Sequence, residues 1–236
     1  MKKILSKIYG IGVKNRNKAF DSGKKKIYRC VTPVISVGNL SVGGAGKTPF
    51  VEYLTNKLIN MRFRPAIVGR GYKRKTKGLV TISDGNQIFV NASIGGDEMV
   101  LLAQKCKVPV VAHDVKYKGA LLTESMFDID CIIVDDGFQH RNLFRDIDIL
   151  LIDKDTFDNP KLLPEGRLRE PLSSAERADV ICFMGDFVIP GELFDQYFTN
   201  KYILKVSSVP GKPYLMNENP NPEISKEVIT FSGIAK

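Results

Sequence analysis

The stretch Ser41-Val-Gly-Gly-Ala-Gly-Lys-Thr48 decides the fold, because its spacing is close to that of a phosphate-binding loop. The usual pattern, G-x-x-x-x-G-K-[ST], has glycine where this chain has Ser41. An apolar run at 34–37 precedes the stretch and a segment of helical periodicity at 49–61 follows it, which is the strand–loop–helix context that such a loop requires. The alternative is a glycine-rich turn that only caps a helix. The context favours a nucleotide site.

The residue types of this loop predict how it would bind a nucleotide. Its glycines allow backbone N–H groups to face phosphate oxygens, and the Thr48 hydroxyl can ligate Mg²⁺. The Lys47 ammonium reaches the β- and γ-phosphates, which makes it a candidate catalytic residue. ATP and Mg²⁺ are therefore the expected cofactors. The candidate nucleotide-binding residues are Ser41, Val42, Gly43, Gly44, Ala45, Gly46, Lys47 and Thr48.

Short apolar runs that alternate with helical segments predict an α/β fold of the P-loop NTPase type, with a mostly parallel sheet flanked by helices. Strands are predicted at 34–37, 65–68, 108–112, 131–134, 147–152, 180–183, 202–206 and 228–231. Helices are predicted at 49–61, 97–105 and 115–126. The segment 73–89 differs, since two apolar runs flank Asp84-Gly85 and predict a hairpin beside the main sheet.

Two adjacent carboxylates end the buried run Ile132–Asp136. Ligands gather beyond the C-terminal ends of parallel strands, so Asp135 and Asp136 are candidate Mg²⁺ residues, and Asp136 is also a candidate catalytic residue. A solvated strand end is the alternative. The stretch Gly95-Gly-Asp-Glu98 opens a predicted helix and makes Asp97 a candidate base near an acceptor hydroxyl, with a plain helix N-cap as the alternative.

Two basic loops could clamp a second phosphate on an acceptor molecule, although solvated loops are the plain alternative. Their candidate residues are Arg70, Arg167 and Arg169. Nucleotide binding alone leaves three classes open, namely phosphotransferases, GTPase switches and partitioning ATPases. Asp153-Lys-Asp155 lacks the asparagine of the guanine-specifying motif, and Val42 stands where partitioning ATPases have a lysine. The last two classes are therefore weakened.

The formal charge of +9 is concentrated at the N-terminus, because residues 1–30 hold ten basic residues and one acidic residue, while the rest holds 25 of each. A neutral domain with a basic arm is not typical of a nucleic-acid binder, so no nucleic acid is expected as a partner. Apolar residues at 4, 5, 8 and 11 recur at helical spacing beside the lysines. This pattern predicts an amphipathic helix on an anionic membrane surface. A helix packed on the domain with a solvated basic face, or a flexible tail, is the alternative.

Composition also predicts the domain organisation. Residues 1–206 are expected to form a P-loop kinase domain with residues 1–30 as its basic arm, 207–226 a Pro-, Gly- and Asn-rich linker, and 227–236 the beginning of a smaller second domain. No run approaches the roughly 18 apolar residues of a spanning helix, and the N-terminus lacks the apolar core of a signal peptide, so export is not expected. Four scattered cysteines and two histidines argue against a zinc site.

Five segments together resemble the tetraacyldisaccharide 4'-kinase family, the lipid A 4'-kinases of Gram-negative bacteria. They are VGNLSVGGAGKTP at 37–49, GRGYKRKTKG at 69–78, GDE at 96–98, DDGFQHRNLFRDIDILLID at 135–153 and LLPEGRLREPLSSAERAD at 162–179. The serine in place of the first glycine belongs to the family pattern. Two departures stand out: Met99 replaces a frequent proline, and the family's longer second domain holds a histidine that no position here matches.

The resemblance implies transfer of the ATP γ-phosphate to the 4'-hydroxyl of a tetraacyldisaccharide 1-phosphate, the lipid A precursor, at the cytoplasmic face of the inner membrane. It implies roles for Lys47 and Thr48 at phosphate and Mg²⁺, for Asp135 and Asp136 as the carboxylate pair, for Asp97 as the base, and for Arg70, Arg167 or Arg169 at the acceptor phosphate. The rival hypothesis is a membrane-surface, nucleotide-dependent switch ATPase that makes no phosphorylated lipid.

Overall fold

Runs of aliphatic and β-branched residues form a single eight-stranded sheet in the computed structural model, which describes residues 1–209. The strands are β1 (Val34–Asn39), β2 (Pro65–Gly69), β3 (Val80–Asp84), β4 (Pro109–Ala112), β5 (Cys131–Asp135), β6 (Ile147–Asp153), β7 (Val180–Met184) and β8 (Tyr202–Val206). The helices are α1 (Lys2–Asp21), α2 (Lys47–Asn60), α3 (Ala92–Gly95), α4 (Asp97–Cys106), α5 (Lys116–Met126), α6 (Lys154–Asp158), the 3₁₀ helix Leu172–Arg177, and α7 (Gly191–Tyr197).

The strand order is β3-β4-β2-β5-β1-β6-β7-β8, and every neighbouring pair is parallel except β3–β4. This arrangement confirms the predicted P-loop NTPase-like α/β fold. β1 lies between β5 and β6, so the residues that follow β1 and β5 emerge side by side at one edge of the sheet. The predicted strand at 228–231, the predicted second domain at 227–236 and most of the predicted linker lie outside the described residues.

The segment 73–89 is not the separate hairpin that the sequence predicts. Its first run is β3, which joins the main sheet as an antiparallel edge strand on β4. Its second run turns back towards β3 and makes one antiparallel bridge, between Ser83 and Ile88, with the Phe89 N–H donating to Ile82 O at 2.9 Å. The physical reason is burial: Ile82 is fully buried in the core, whereas Ile88 and Phe89 are exposed. The exposed second run therefore buries too little apolar surface to extend its pairing beyond one bridge, while the other edge of β3 pairs with β4.

Both faces of the central strands are covered, because successive side chains alternate between two helical layers. Val37, Ile67 and Ile133 pack on the side of α2 and α4. Val34 and Ile132 pack on the opposite side, with α5. Each such fully buried aliphatic side chain stabilises the fold by about 1.5–3 kcal/mol. The core thus holds the polar carboxyl edge of the sheet in a fixed position.

The N-terminal helix α1 packs on the domain through polar contacts. These contacts run from Ser6 Oγ to Leu162 O (2.9 Å), from Tyr9 OH to Arg169 O (2.9 Å), from Arg16 Nη2 to Gln139 O (2.7 Å) and from Asn17 Nδ2 to Glu170 Oε2 (2.7 Å). Ile4, Ile8 and Ile11 lie on the other face of the helix, each at least 60% exposed. Across the described residues, no helix combines the length and apolar character needed to cross a bilayer.

Candidate active site

Two glycine turns bring α4 to the carboxyl edge of the sheet. A Cβ atom on Gly71 would lie 2.5 Å from the Gly95 carbonyl oxygen, and one on Gly96 would lie 2.7 Å from the Gly71 Cα atom. Only glycine permits this backbone approach. Met99, which stands where the family pattern often has proline, has a packing role. Its buried side chain lies directly against Gly69 at the end of β2. The N-terminus of α4 is thereby fixed beside β2.

The predicted phosphate loop connects β1 to α2. Gly46 has a left-handed conformation with φ of 72°, and α2 begins at Lys47 without a side-chain cap among the described residues. Its first N–H groups are therefore available to an anion. The Arg167 guanidinium lies over Gly43, where a Cβ would collide with it, and its Nε and Nη2 donate to Val42 O at 3.1 and 2.9 Å. Arg167 thus holds the outer side of the loop.

Lys47 and Arg169 meet at the carboxylate that follows β5. Arg169 binds Asp136 in a bidentate manner, at 3.0 Å from Nη1 to Oδ2 and 2.8 Å from Nη2 to Oδ1, and also donates to Asn39 Oδ1. Lys47 Nζ lies 3.0 Å from Asn39 Oδ1 and 3.6 Å from Asp136 Oδ1. Burial by itself would raise the pKa of Asp136, but the Arg169 guanidinium, with Lys116 and Lys47, holds it well below its usual range. Asp136 is therefore an anion in this site.

The buried Lys116 side chain holds the backbone of both aspartates, and no sequence pattern predicted this role. The Lys116 side chain is only 2% exposed, and its Nζ donates to the carbonyl oxygens of Asp135 and Asp136 at 2.5 Å each. These bonds fix the backbone where Asp136 has a left-handed φ of 51°. Burial lowers the pKa of Lys116 to about 8, against the opposing charges of the two aspartates. A lysine at the first position of a helix is ordinary in sequence, so no pattern announced its burial.

The oxygen groups of the site fit Mg²⁺. Asp135 is buried, burial raises its pKa, and its Oδ1 has no hydrogen-bond partner among the described residues. An orphaned carboxylate oxygen of this kind, on the residue next to the ionised Asp136, suits a small hard cation. Residues 1–209 contain no cluster of three or more His, Cys, Asp or Glu side chains with metal-binding geometry. Mg²⁺ in nucleotide sites needs only one or two carboxylates, because phosphates and waters complete its shell.

Asp97 and Glu98 form the other side of the site, at the start of α4. Both are exposed, and Asp97 Oδ1 accepts a hydrogen bond from the Glu98 N–H at 2.9 Å. Shielding of part of the Glu98 carboxyl, followed by the charges of Asp135 and Asp97, raises its pKa, and Lys47 opposes this shift. Glu98 therefore lies within electrostatic reach of the Asp135–Asp136 pair. Glu98 was not among the predicted site residues, although two consecutive acidic residues at a helix start were a visible signal.

The three candidate arginines do not form one clamp. Arg167 binds the phosphate loop and pairs with Asp155, and Arg169 binds Asp136. Arg70 is exposed after β2, and its charge contributes to the lowered pKa of His140, which burial brings to about 3. Two of the arginines are thus committed to the nucleotide side, and Arg70 lies towards the loop that contains His140.

A model of the family described as tetraacyldisaccharide-1-P 4'-kinase matches residues 2–236. A tetraacyldisaccharide 4'-kinase from Aquifex aeolicus is 42% identical over 221 residues, which cover 93% of this chain and 69% of that protein. One from Chlorobium luteolum is 42% identical over 178 residues, covering 73% and 50%, and one from Chlorobium phaeovibrioides is 34% identical over 251 residues, covering 98% and 69%.

A solved structure gives the same result. The crystal structure of LpxK from Aquifex aeolicus in complex with ATP matches with a TM-score of 0.75 at 42% identity, covering 85% of this chain and 62% of that one. The chain spans between about half and about two thirds of the length of these relatives.

Proposed function

The chain belongs to the tetraacyldisaccharide 4'-kinase family, and from this premise we propose that it catalyses transfer of the ATP γ-phosphate to the 4'-hydroxyl of a tetraacyldisaccharide 1-phosphate in lipid A biosynthesis. The observation that carries the proposal is the junction of the phosphate loop with Asp136, made by Lys47 at 3.6 Å and by the bidentate Arg169. A phosphate-binding loop, a fixed cation and an ionised carboxylate at one point are the protein groups that phosphoryl transfer requires.

We propose the roles within the site from this geometry together with the motif positions and the family resemblance. The loop 41–48 and Lys47 bind the triphosphate, and Thr48, Asp135 and Asp136 would hold Mg²⁺, which would supply positive charge to the phosphoryl oxygens. Asp97 accepts the proton of the acceptor hydroxyl as it attacks. The exposed position of Asp97 at the N-terminus of α4 supports this role, because an acceptor can approach it from solvent while the nucleotide occupies the loop.

The proposal is tested by incubating the purified protein with radiolabelled ATP and detergent-dispersed disaccharide 1-phosphate. We expect label in the lipid. Label that appears only as free phosphate would favour the rival function, a nucleotide-dependent switch ATPase. Without the disaccharide, a kinase should release little free phosphate, whereas a switch ATPase should be unaffected by its removal.

We propose further that the protein works peripherally at the cytoplasmic face of the inner membrane, with α1 on the anionic surface and no nucleic acid as partner. The polar face of α1 is occupied by the domain, while its isoleucines are exposed beside the lysines. An interfacial helix has this distribution.

Substitution of Ile4, Ile8 and Ile11 by serine should weaken sedimentation with anionic vesicles by about ten-fold or more, since each buried side chain contributes about 1.5–3 kcal/mol. The matched control changes Ile59, Met61 and Val188, which are exposed elsewhere on the domain. Equal sedimentation of the two triple variants would contradict the membrane assignment.

A further inference from the structure

The side chain of Asn39, the last residue of β1, is fully buried next to the phosphate loop. Its Oδ1 accepts a hydrogen bond from Lys47 Nζ at 3.0 Å and another from the Arg169 guanidinium. Ammonium and guanidinium groups can only donate, so the oxygen of the amide must face them and its nitrogen must point elsewhere. The nitrogen then needs an acceptor of its own, because a buried donor without a partner is costly.

The Ser41 hydroxyl, predicted from the sequence as part of the nucleotide-binding loop, supplies that acceptor. Its Oγ lies 3.3 Å from Asn39 Nδ2, and Ser41 is only 1% exposed. The glycine that the usual phosphate-loop pattern has at this position carries no side chain that could accept the bond. The serine thus fixes which end of the Asn39 amide faces the two cations.

Backbone pairing holds Arg169 beside Asn39. The Arg169 N–H donates to Leu40 O at 2.7 Å, and Ser41 forms an antiparallel bridge with Leu168. The lysine of the phosphate loop reaches the same amide oxygen from the start of α2. Two cations therefore converge on one oxygen that carries no formal charge. A neutral oxygen orients a cation without cancelling its charge as a carboxylate would, so the charge remains available to an anion.

We propose that Asn39, oriented by Ser41, is a positioning residue that holds the Lys47 ammonium in place for the triphosphate. The inference rests on the proposed role of Lys47 at the triphosphate and extends it to the groups that place the ammonium. Lysine carries its charge on a long, flexible stem, so a fixed acceptor reduces the rotamer freedom that nucleotide binding would otherwise have to remove. The serine that departs from the usual loop pattern has its function in this arrangement.

Asn39→Asp tests whether the neutral oxygen matters. Aspartate keeps the size and the accepting oxygen of the amide but places a negative charge against Lys47, so ATP affinity should fall about ten-fold, the worth of roughly one charge-assisted hydrogen bond. Asn60→Asp makes the same change at the far end of α2, about 20 Å away along the helix axis, and should bind ATP normally. Affinity is measured by titration calorimetry with ATP and Mg²⁺, without an acceptor. Wild-type affinity in Asn39→Asp overturns the inference.

Ser41→Ala tests the orientation of the amide and is the milder change. Loss of the hydroxyl leaves Asn39 Nδ2 without its acceptor and frees the amide to rotate, which should weaken ATP binding about three-fold. In the Lys47→Ala background the same substitution should weaken binding no further, because the ammonium that it helps to place is gone. An equal loss in both backgrounds would show that Ser41 only stabilises the loop, and the inference would be wrong.

Failure of the inference can be told apart from failure of the proposed role of Lys47. Lys47→Ala alone should weaken ATP binding at least as much as Asn39→Asp does. If Lys47→Ala binds ATP as well as the wild-type protein, the role of Lys47 is wrong and the inference falls with it. If Lys47→Ala binds weakly while Asn39→Asp and Ser41→Ala bind normally, the inference alone is wrong. Because binding is measured without an acceptor, none of these results depends on whether labelled phosphate reaches the lipid.

Discussion

The two sides of the active site are built differently. On the nucleotide side, Arg169 joins Asp136 to Asn39, Arg167 covers the phosphate loop, and Lys116 holds the backbone beneath. On the α4 side, Asp97 and Glu98 are exposed, and the Asp97 carboxylate accepts a local hydrogen bond from the Glu98 N–H. Hydrogen bonds from three side chains thus fix the nucleotide side in place. The α4 side is held instead by the backbone turns that precede the helix.

This difference follows from the physical demands of each side. Charge stabilisation is most effective when donors and cations are already in place and need no reorganisation, which the nucleotide side provides. A general base must instead meet a hydroxyl that arrives with its own water shell, so it has to remain accessible until the acceptor is bound. The contrast predicts that substitutions on the two sides affect activity and stability in different proportions.

The largest effect is expected from Lys47→Ala. Removal of a fixed cation that contacts the triphosphate should lower phosphate transfer by about a thousand-fold, because such groups act on charge that develops in the transition state. Lys57→Ala, near the other end of α2, is the matched control and should transfer phosphate normally. Transfer is followed with radiolabelled ATP, and a loss of less than ten-fold in Lys47→Ala would contradict the role of the loop.

Asp97→Asn should lower transfer by about a hundred-fold, near the lower end of general-base effects, because a loose phosphoryl-transfer transition state needs little help at the nucleophile. Asparagine keeps the oxygen that accepts from the Glu98 N–H, so the thermal midpoint should not change. Glu98→Gln serves as the neighbouring control and should have a smaller effect. Near-normal turnover in Asp97→Asn would overturn the base assignment.

The fold could be predicted from the sequence because its signals are local. The phosphate loop, the apolar runs and the helical periods each lie within a few residues, and the parallel sheet follows from their order. The hairpin prediction at 73–89 was only partly right: the two runs form one antiparallel bridge across the turn at Asp84-Gly85, but β3 also joins the main sheet through β4, a neighbour that no local pattern records.

Only part of the candidate site could be predicted from the sequence, for the same reason. Motif spacing predicted Lys47, Asp135 and Asp136 as candidates, and the structure places them after two adjacent strands. The separate places of Arg167 and Arg169 depend on a loop that returns across the sheet edge more than a hundred residues later. Lys116 depends on burial beneath a neighbouring strand end. Both are long-range contacts, which residue type and spacing do not specify.

Lys116→Met would remove the two hydrogen bonds that hold the backbone of Asp135 and Asp136 on the nucleotide side. We expect transfer to fall by about ten-fold, since the carbonyls that orient Asp135 and Asp136 lose their donor. The unpaired carbonyls cost about 1–3 kcal/mol each, but relief of a buried charge offsets much of this, so the thermal midpoint should move by only a few degrees. Lys118→Met, on the exposed side of the same helix, is the control. Parallel losses of activity and thermal midpoint would indicate a purely structural lysine.

The smallest effect concerns the pH dependence of stability, to which His140, on the loop after Asp136, and Glu98, on the α4 side, should contribute with opposite sign. Burial lowers the pKa of His140 below its unfolded value of 6.5, to about 3, so the unfolded chain binds the proton first and the fold loses stability as the pH falls below 6.5. Because His140 is only half-buried, the loss by pH 5 should be about 1 kcal/mol.

Shielding and the charges of Asp135 and Asp97 raise the pKa of Glu98, so its contribution to stability is greatest at low pH and is lost as the pH rises through its folded pKa. Denaturant titrations between pH 4 and 7 should therefore show that His140→Gln makes stability less sensitive to acid than in the wild-type protein, while Glu98→Gln makes it more sensitive. A shift in the same direction for both variants would contradict the opposite electrostatic environments of His140 and Glu98.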